Sequence, residues 1–210
     1  MIKAVIFDRD GILVDSETCN VGAGVLAMAD LGVKLTKDEK DSIIGKHPRE
    51  YASSMIQKYN LNYDEFRNLQ YRHYTELLKE APAIRPAIEL LKKVREKGFL
   101  TGLCTGSDRQ DTEDVLRRLG IEDLFEQVVT NNDYTNRKPN PEPYLLTAQK
   151  LGVKPSECLV IEDSEVGLRS AVGAGMKCIV IYNNLTKNHD FTGASAVFSS
   201  ADQIDLDEVL

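Results

Sequence analysis

The sequence predicts an α/β fold: a parallel sheet covered by helices on both faces, interrupted by an all-helical insert. Three observations lead there. Short apolar runs alternate with longer segments of helical period, the order strand, helix, strand repeats, and from about Ser16 to Glu80 no convincing strand occurs. The apolar runs are Ile2 to Phe7, Phe99 to Cys104, Gln127 to Thr130, Cys158 to Ile161, Lys177 to Tyr182 and, as a sixth, Ala196 to Phe198.

The helices between them carry ordinary punctuation. Pro86 starts one whose Ile88, Leu91 and Val94 share a face, with Gly98 where a terminating glycine belongs. Asp108 caps a helix carrying Val115, Leu116 and Leu119, ended by Gly120. Asn140 and Pro141 form an N-cap and first-turn pair for a helix that stops near Gly152. In the insert, Val21, Val25 and Met28 fall on one face before Gly32, and Thr36 with Glu39 has the capping-box spacing. Tyr51, Met55 and Tyr59 mark another helix, and Phe66, Leu69, His73 and Leu77 a further one. With hinges at Gly11 to Asp15 and Ala81 to Pro86, the core domain is residues 1–15 and 82–210 and the helical domain is residues 16–81. The alternative is a set of crossover helices packed into the core. The length of the block weighs against it, because a crossover usually needs one helix.

Composition narrows the function. The chain has 210 residues, 42% of them hydrophobic, enough for a substantial core. Lys plus Arg is 26 against 33 Asp plus Glu, a net charge of -7, and an acidic surface repels nucleic acid. No apolar run approaches the roughly 18 residues of a membrane helix, and Met1 to Asp8 reads as a buried strand, not a signal peptide. Cys19, Cys104, Cys158 and Cys178 form no CxxC pair, and three lie in strand-like runs. They read as buried reduced thiols in a cytoplasmic protein.

The segment Phe7-Asp8-Arg9-Asp10-Gly11-Ile12-Leu13-Val14-Asp15-Ser16-Glu17 puts two carboxylates at the C-terminal end of a buried strand, the edge where open α/β sheets bind ligands. Such a pair suits a nucleophile, a proton carrier and a site for a hard cation, although aspartates after strands are also common turn and cap residues. Three later strand ends add to it. Thr105-Gly106-Ser107 offers a hydroxyl and backbone N–H groups suited to phosphate, or simple N-capping. Lys138 in Lys138-Pro139-Asn140-Pro141-Glu142 offers a cation, or a solvated surface charge. Glu162-Asp163-Ser164 offers two acids for a metal, or a helix cap. Arg9, on an extended strand, is expected to point away from the site.

As a set, in this order, these motifs resemble those of the haloacid dehalogenase superfamily, in the branch of phosphoglycolate phosphatases, sugar-phosphate phosphatases and β-phosphoglucomutase. The resemblance rests on DxDGxLVDSE, the Thr after the second strand, KPxPExY and IEDSxxGxxxAxxAGM, and spans nearly the whole chain. It implies a Rossmann-like core with residues 16–81 as a helical cap. It implies that Asp8 attacks phosphorus and forms an aspartyl-phosphate, and that Asp10 protonates the leaving oxygen and then activates water. It also implies Mg²⁺ held by the Asp8 carboxylate, the Asp10 carbonyl and Asp163, with Glu162 acting through water. Thr105, the Gly106 N–H and Lys138 would hold the phosphoryl oxygens. The resemblance places Gly45-Lys46-His47-Pro48-Arg49 at the substrate-specificity loop, so Lys46, His47 and Arg49 are candidate substrate contacts, as are Glu17 and Asn20; a solvated cap surface or a hinge position is the other reading for each.

The expected activity is a Mg²⁺-dependent phosphatase acting on a small phosphorylated metabolite, as a monomer because no long apolar stripe is left unassigned. Asp10, Glu162 and Asp163 argue against a dehalogenase, which needs neither metal nor proton donor, and Asp10 against a phosphonate-cleaving relative that would use a cap lysine such as Lys46. The main rival is a β-phosphoglucomutase-like mutase. Those proteins carry a histidine in the first cap helix where this chain has Asn20, which takes up no proton near neutral pH. A non-catalytic binding protein on the same fold ranks below both, since Asp8, Asp10, Lys138 and Asp163 are all present.

Overall fold

The computed structural model describes residues 1–43 and 48–210. Along the chain run β1 (Ala4–Phe7), α1 (Glu17–Asp30), α2 (Lys37–Ile43), α3 (Pro48–Tyr59), α4 (Tyr63–Leu78), α5 (Arg85–Glu96), β2 (Leu100–Cys104), α6 (Arg109–Leu119), β3 (Gln127–Val129), α7 (Glu142–Leu151), β4 (Cys158–Glu162), α8 (Glu165–Gly173), β5 (Lys177–Ile181), β6 (Ala196–Phe198) and α9 (Leu206–Val209). They fall into two compact units, Met1–Val14 with Ala83–Leu210, and Asp15–Pro82.

The first unit is a single all-parallel sheet in the order β3-β2-β1-β4-β5-β6. This is the strand order of Rossmann-like folds. β1 lies centrally, and both its faces are buried because its side chains alternate between two cores. Val5 and Phe7 pack with Leu91 and Val94 of α5, Leu116 of α6 and Ile161 of β4. Ala4 and Ile6 pack with Tyr144 and Ala148 of α7 and Leu168 and Ala171 of α8. Burying one such large apolar side chain contributes about 1.5–3 kcal/mol, so the central strand is held rigidly from both sides. Register then sets the position of the site. Phe7 stands opposite Leu103 and Ile161, so the residues just past the ends of β1, β2 and β4 emerge at one edge.

The helices end where their sequences dictate. The Asp108 carboxylate accepts from Gln110 N at 2.9 Å to start α6, and left-handed Gly120 (φ 64°) ends it. Pro86 sits in the first turn of α5, and Gly98 (φ 82°) follows its end. At α7 the structure differs from expectation by one residue. Pro141 is the cap, and the side chain of Asn140 accepts from Glu142 N at 2.9 Å. Strands β1, β2 and β5 are shorter than their apolar runs: Ile2 and Phe99 flank the ladders, and Tyr182, just past β5, still donates its N–H to the Phe198 carbonyl at 3.0 Å.

The second unit is helical, with no strand among its described residues. Met28, Ile43, Tyr51, Ala52 and Phe66 form its own core, with Val21, Val25, Tyr59 and Leu69 packed around it. The capping box forms as its spacing requires: Thr36 N donates to Glu39 Oε2 at 2.8 Å, and Glu39 N to Thr36 Oγ1 at 3.3 Å. The Glu39 carboxylate also accepts from Tyr59 Oη at 2.6 Å and pairs with Lys58. All four cysteines are buried and unbridged. Among the described residues no helix is long and apolar enough to cross a membrane.

Candidate active site

β1 delivers Asp8 to the sheet edge, where its N–H still pairs with the Ile161 carbonyl at 2.9 Å. The chain then turns at once: Leu13 N and Val14 N both donate to the Arg9 carbonyl, at 2.9 and 3.2 Å. Gly11 sits at φ 75°, and a Cβ there would overlap the Asp163 carboxylate. Only glycine therefore lets this turn lie against the end of β4. A second glycine serves the same edge. A Cβ on Gly167, in the first turn of α8, would overlap the Glu162 carboxylate.

Lys138, from the segment after β3, is the hub. Its Nζ lies 2.7 Å from Asp8 Oδ1, 2.7 Å from Glu162 Oε1, 3.0 Å from the Cys104 carbonyl and 2.9 Å from the Tyr144 hydroxyl. Tyr144 in turn donates to Glu162 Oε1 at 2.7 Å. The other oxygen of Glu162 accepts from Asp163 N, Ser164 N and Ser164 Oγ at 3.0–3.3 Å. Glu162 is thus a buried acid that fixes Lys138 and the β4–α8 turn. Asp163 Oδ2 accepts from Asn183 Nδ2 at 2.9 Å, just past the end of β5.

Asp10 lies in a second network. Its Oδ2 accepts from Thr105 Oγ1 at 3.0 Å and Ser107 Oγ at 2.8 Å. Arg9, expected to point away from the site, does not. Its side chain keeps to the side of Phe7, toward α6, but β1 stops at Phe7 and the chain turns, so Asp10 comes round to meet it. Its buried guanidinium meets Asp10 Oδ1 at 2.7 Å through Nη2. Gly106, by contrast, is exposed.

Electrostatics fit one further positive group. Burial pushes the Asp8 carboxyl up to about 7; Lys138 pulls it down, while Glu162 and Asp10 push it further up. Burial opposes charge on Lys138 too, but Asp8 and Glu162 outweigh it and hold the ammonium well above its ordinary value. Glu162 is held below its ordinary value, since Lys138 and its hydrogen bonds outweigh burial. Burial pushes the Cys104 thiol up to about 12, which leaves it unreactive. Four carboxylates (Asp8, Asp10, Glu162, Asp163) face two cations (Arg9, Lys138). When all are ionised, two negative charges remain. Carboxylate oxygens of Asp8, Glu162 and Asp163 lie within 4.8 Å of one another. This all-oxygen donor set and charge deficit fit a hard divalent cation.

The structure thus brings together Asp8, Asp10, Thr105, Lys138, Glu162 and Asp163, with Gly106 on the loop beside them. Glu17 and Asn20 lie in α1 of the other unit, both half-buried. Lys46 and His47 lie outside the described residues, and Arg49 is in the first turn of α3 with its side chain likewise outside them. Sequence reasoning missed Ser107, Tyr144 and Asn183 as parts of the network. Tyr144 carried a signal, since it closes the KPxPExY motif; Asn183 carried none beyond following a strand.

Known proteins resemble this chain over most of its length. A sequence profile for haloacid dehalogenase-like hydrolases matches residues 5–181. A phosphorylated carbohydrates phosphatase from Thermotoga maritima is 34% identical over 185 residues, covering 85% of this chain and 84% of its own. Hexitol phosphatase B from Escherichia coli is 31% identical over 188 residues, covering 86% and 83%. Among solved structures, a β-phosphoglucomutase from Clostridium difficile superposes with a TM-score of 0.77 at 25% identity, covering 100% of this chain and 96% of that one.

Proposed function

Because the chain belongs to the haloacid dehalogenase-like hydrolase family, we propose that it is a Mg²⁺-dependent phosphatase that hydrolyses a small phosphate monoester of the sugar-phosphate or phosphoglycolate type through an aspartyl-phosphate on Asp8. The observation that carries this reading is the Asp8–Lys138 pair at 2.7 Å, set beside Asp163 and Asp10 at one sheet edge. Relatives named for phosphatase activity on phosphorylated carbohydrates and hexitols support the reaction and the substrate class.

In this mechanism an Asp8 oxygen forms a bond to phosphorus as the ester P–O bond breaks, and Asp10 gives a proton to the departing oxygen. Asp10, now a carboxylate, takes a proton from water as that water attacks the phosphorus of the aspartyl-phosphate. Inorganic phosphate leaves and Asp8 is restored. A dianionic phosphoryl group must approach a carboxylate, and Lys138 reduces that repulsion at the atom where it is worst. The Gly106 N–H would supply a donor for the equatorial oxygens, as would the Thr105 hydroxyl on turning from Asp10 to the bound phosphoryl group. Asp8, Asp163 and the Asp10 carbonyl would hold Mg²⁺, with Glu162 acting through water. When bound, the cation supplies the charge that balances the site and the phosphoryl oxygens. Residues 16–81 act as the cap that selects the ester, with Glu17, Asn20, Lys46, His47 and Arg49 as candidate contacts. A single polypeptide acting in the cytoplasm completes the reading, in keeping with four unbridged buried thiols.

A mutase shares the first step but must keep water from the aspartyl-phosphate until a sugar hydroxyl arrives. Asn20 cannot supply proton-linked control of Asp10, which favours hydrolysis. The test is a panel of phosphoglycolate, hexose phosphates, glycerol phosphates and nucleotides with and without Mg²⁺, including a hexose 1-phosphate with catalytic bisphosphate. Release of inorganic phosphate supports the reading; conversion to the 6-phosphate with little phosphate released overturns it in favour of the mutase.

A further inference from the structure

Arg9 has no task in the mechanism above, yet it is completely buried. A buried guanidinium needs partners on every edge, and the partners here are informative. Nη1 donates to Thr112 Oγ1 of α6 at 3.3 Å, and Nη2 to Ser107 Oγ at 2.7 Å. Thr112 is itself fixed, its hydroxyl donating to the Asp108 carbonyl at 2.7 Å. The fork is thus anchored on the first turn of α6 and on the turn after β2. Its remaining edge covers Asp10: Nη2 lies 2.7 Å from Oδ1, and Nε lies 3.2 Å from both carboxylate oxygens. The hydroxyls of Thr105 and Ser107 both address Oδ2. They act on that one oxygen. The arginine reaches both oxygens and so fixes the plane. A lysine, with a point charge in place of a fork, would not.

We propose that Arg9 is the positioning residue of Asp10, setting the orientation in which that carboxyl gives and takes the proton. Full burial keeps Arg9 from substrate, so it acts on the reaction through the groups it holds, Asp10 first among them. The inference rests on the reading of Asp10 as the proton carrier. General acid–base catalysis contributes roughly 10²- to 10⁴-fold, and a misplacement of about 1 Å can cost on the order of 10²-fold. Loss of the fork should therefore slow the first step about 10- to 100-fold for an ester whose leaving oxygen needs a proton, with KM little changed.

The experiment is single-turnover quenched flow with Mg²⁺ on the wild type, Arg9→Met, Arg9→Lys and Asp10→Asn. It compares alcohol release from the alkyl phosphate turned over fastest in the panel with nitrophenol release from nitrophenyl phosphate. Nitrophenolate leaves without a proton, so its release bypasses Asp10. Asp10→Asn should lose far more on the alkyl ester than on the aryl ester. Arg9→Met should show the same selective loss in weaker form, and Arg9→Lys should recover only part of it. If Asp10→Asn slows both esters equally, the proton-carrier reading itself fails. If Asp10→Asn discriminates while Arg9→Met slows both esters equally or neither, the role of Arg9 is refuted. Should Arg9→Met not fold, Arg9→Lys decides: a selective loss on the alkyl ester supports the proposal, and a uniform loss or none overturns it.

Discussion

Replacing Lys138 by Met keeps most of the side-chain volume and removes the one ammonium shared by Asp8 and Glu162. Glu162 is 1% exposed, so its charge cannot be handed to water. Without Lys138 the cheapest relief is to protonate it. Forcing a proton onto a carboxyl of ordinary pKa about 4.3 at pH 7 costs about 3.7 kcal/mol, at 1.36 kcal/mol per unit. The donors that remain on its other oxygen, Asp163 N, Ser164 N and Ser164 Oγ, allow part of the charge to persist, so about 3 kcal/mol is the expected loss of stability. The same relief at pH 5 costs only about 1 kcal/mol. The gap between wild type and variant should therefore narrow as pH falls. Thermal melts of both proteins at pH 5 and pH 7 in the presence of a chelator measure it. At pH 7 the expected drop in Tm is roughly 6–12 °C for a chain of this size. A gap of equal size at both pH values, or none at either, would refute the reasoning that Lys138 neutralises a buried carboxylate.

Asp8→Asn is nearly isosteric, so it should abolish turnover of every ester while leaving the circular dichroism spectrum intact; ordinary turnover by freshly prepared variant would count against a nucleophilic Asp8. Turnover should stop on exhaustive chelation and return with Mg²⁺ or Mn²⁺ but hardly with Ca²⁺, whose looser coordination lets both Asp8 oxygens ligate and spoils the attack; equal rates with all three cations would contradict this. Since the Asp8 carboxyl is pushed up to about 7, Mg²⁺ binding near pH 7 should release protons; calorimetry in buffers of different ionisation enthalpy reads this, and buffer-independent heats would exclude it. In the helical unit, Lys58, Tyr59 and Thr36 hold the Glu39 carboxyl down at about 2. Its contribution to stability should be complete above about pH 4.5 and be lost as pH falls towards 2; acid melts of Glu39→Gln that stayed parallel to the wild type through that window would show the box contributes nothing.

Much of the core was legible because its signals are local. Each buried strand is a short apolar run, and three of the candidates follow one directly: Asp8 after Phe7, Thr105 after Cys104, Asp163 after Glu162. A parallel sheet collects such residues on one edge whatever the strand order, so Asp8, Thr105, Glu162 and Asp163 could be grouped before the order was known. Arg9 was misread for a physical reason. The alternation rule was carried past the end of β1: Arg9 stays on the α6 side with Phe7, but the turn closing on its carbonyl brings Asp10 round to meet it. Asn183 was illegible because its bond to Asp163 exists only once β5 lies beside β4. Ser107 was read only within a phosphate-suited or capping turn; Asp108 does the capping, as its position suggested, and the serine turns to Asp10. In the helical unit, residue periodicity located the helices, but the proposed contacts of Lys46 and His47 fall on residues outside those described.

The central claim is that the phosphoryl group passes through Asp8, and trapping it there is the most direct test. Asp10→Asn should still be phosphorylated by nitrophenyl phosphate, whose leaving group needs no proton, yet should be slow to activate water for the second step. Acid quench during turnover with Mg²⁺, followed by peptide mass spectrometry, should find the phosphoryl group accumulated on Asp8 at close to one per chain. Phosphate release from that variant with no protein-bound phosphoryl group at any time, or a phosphoryl group on another residue, would contradict the account.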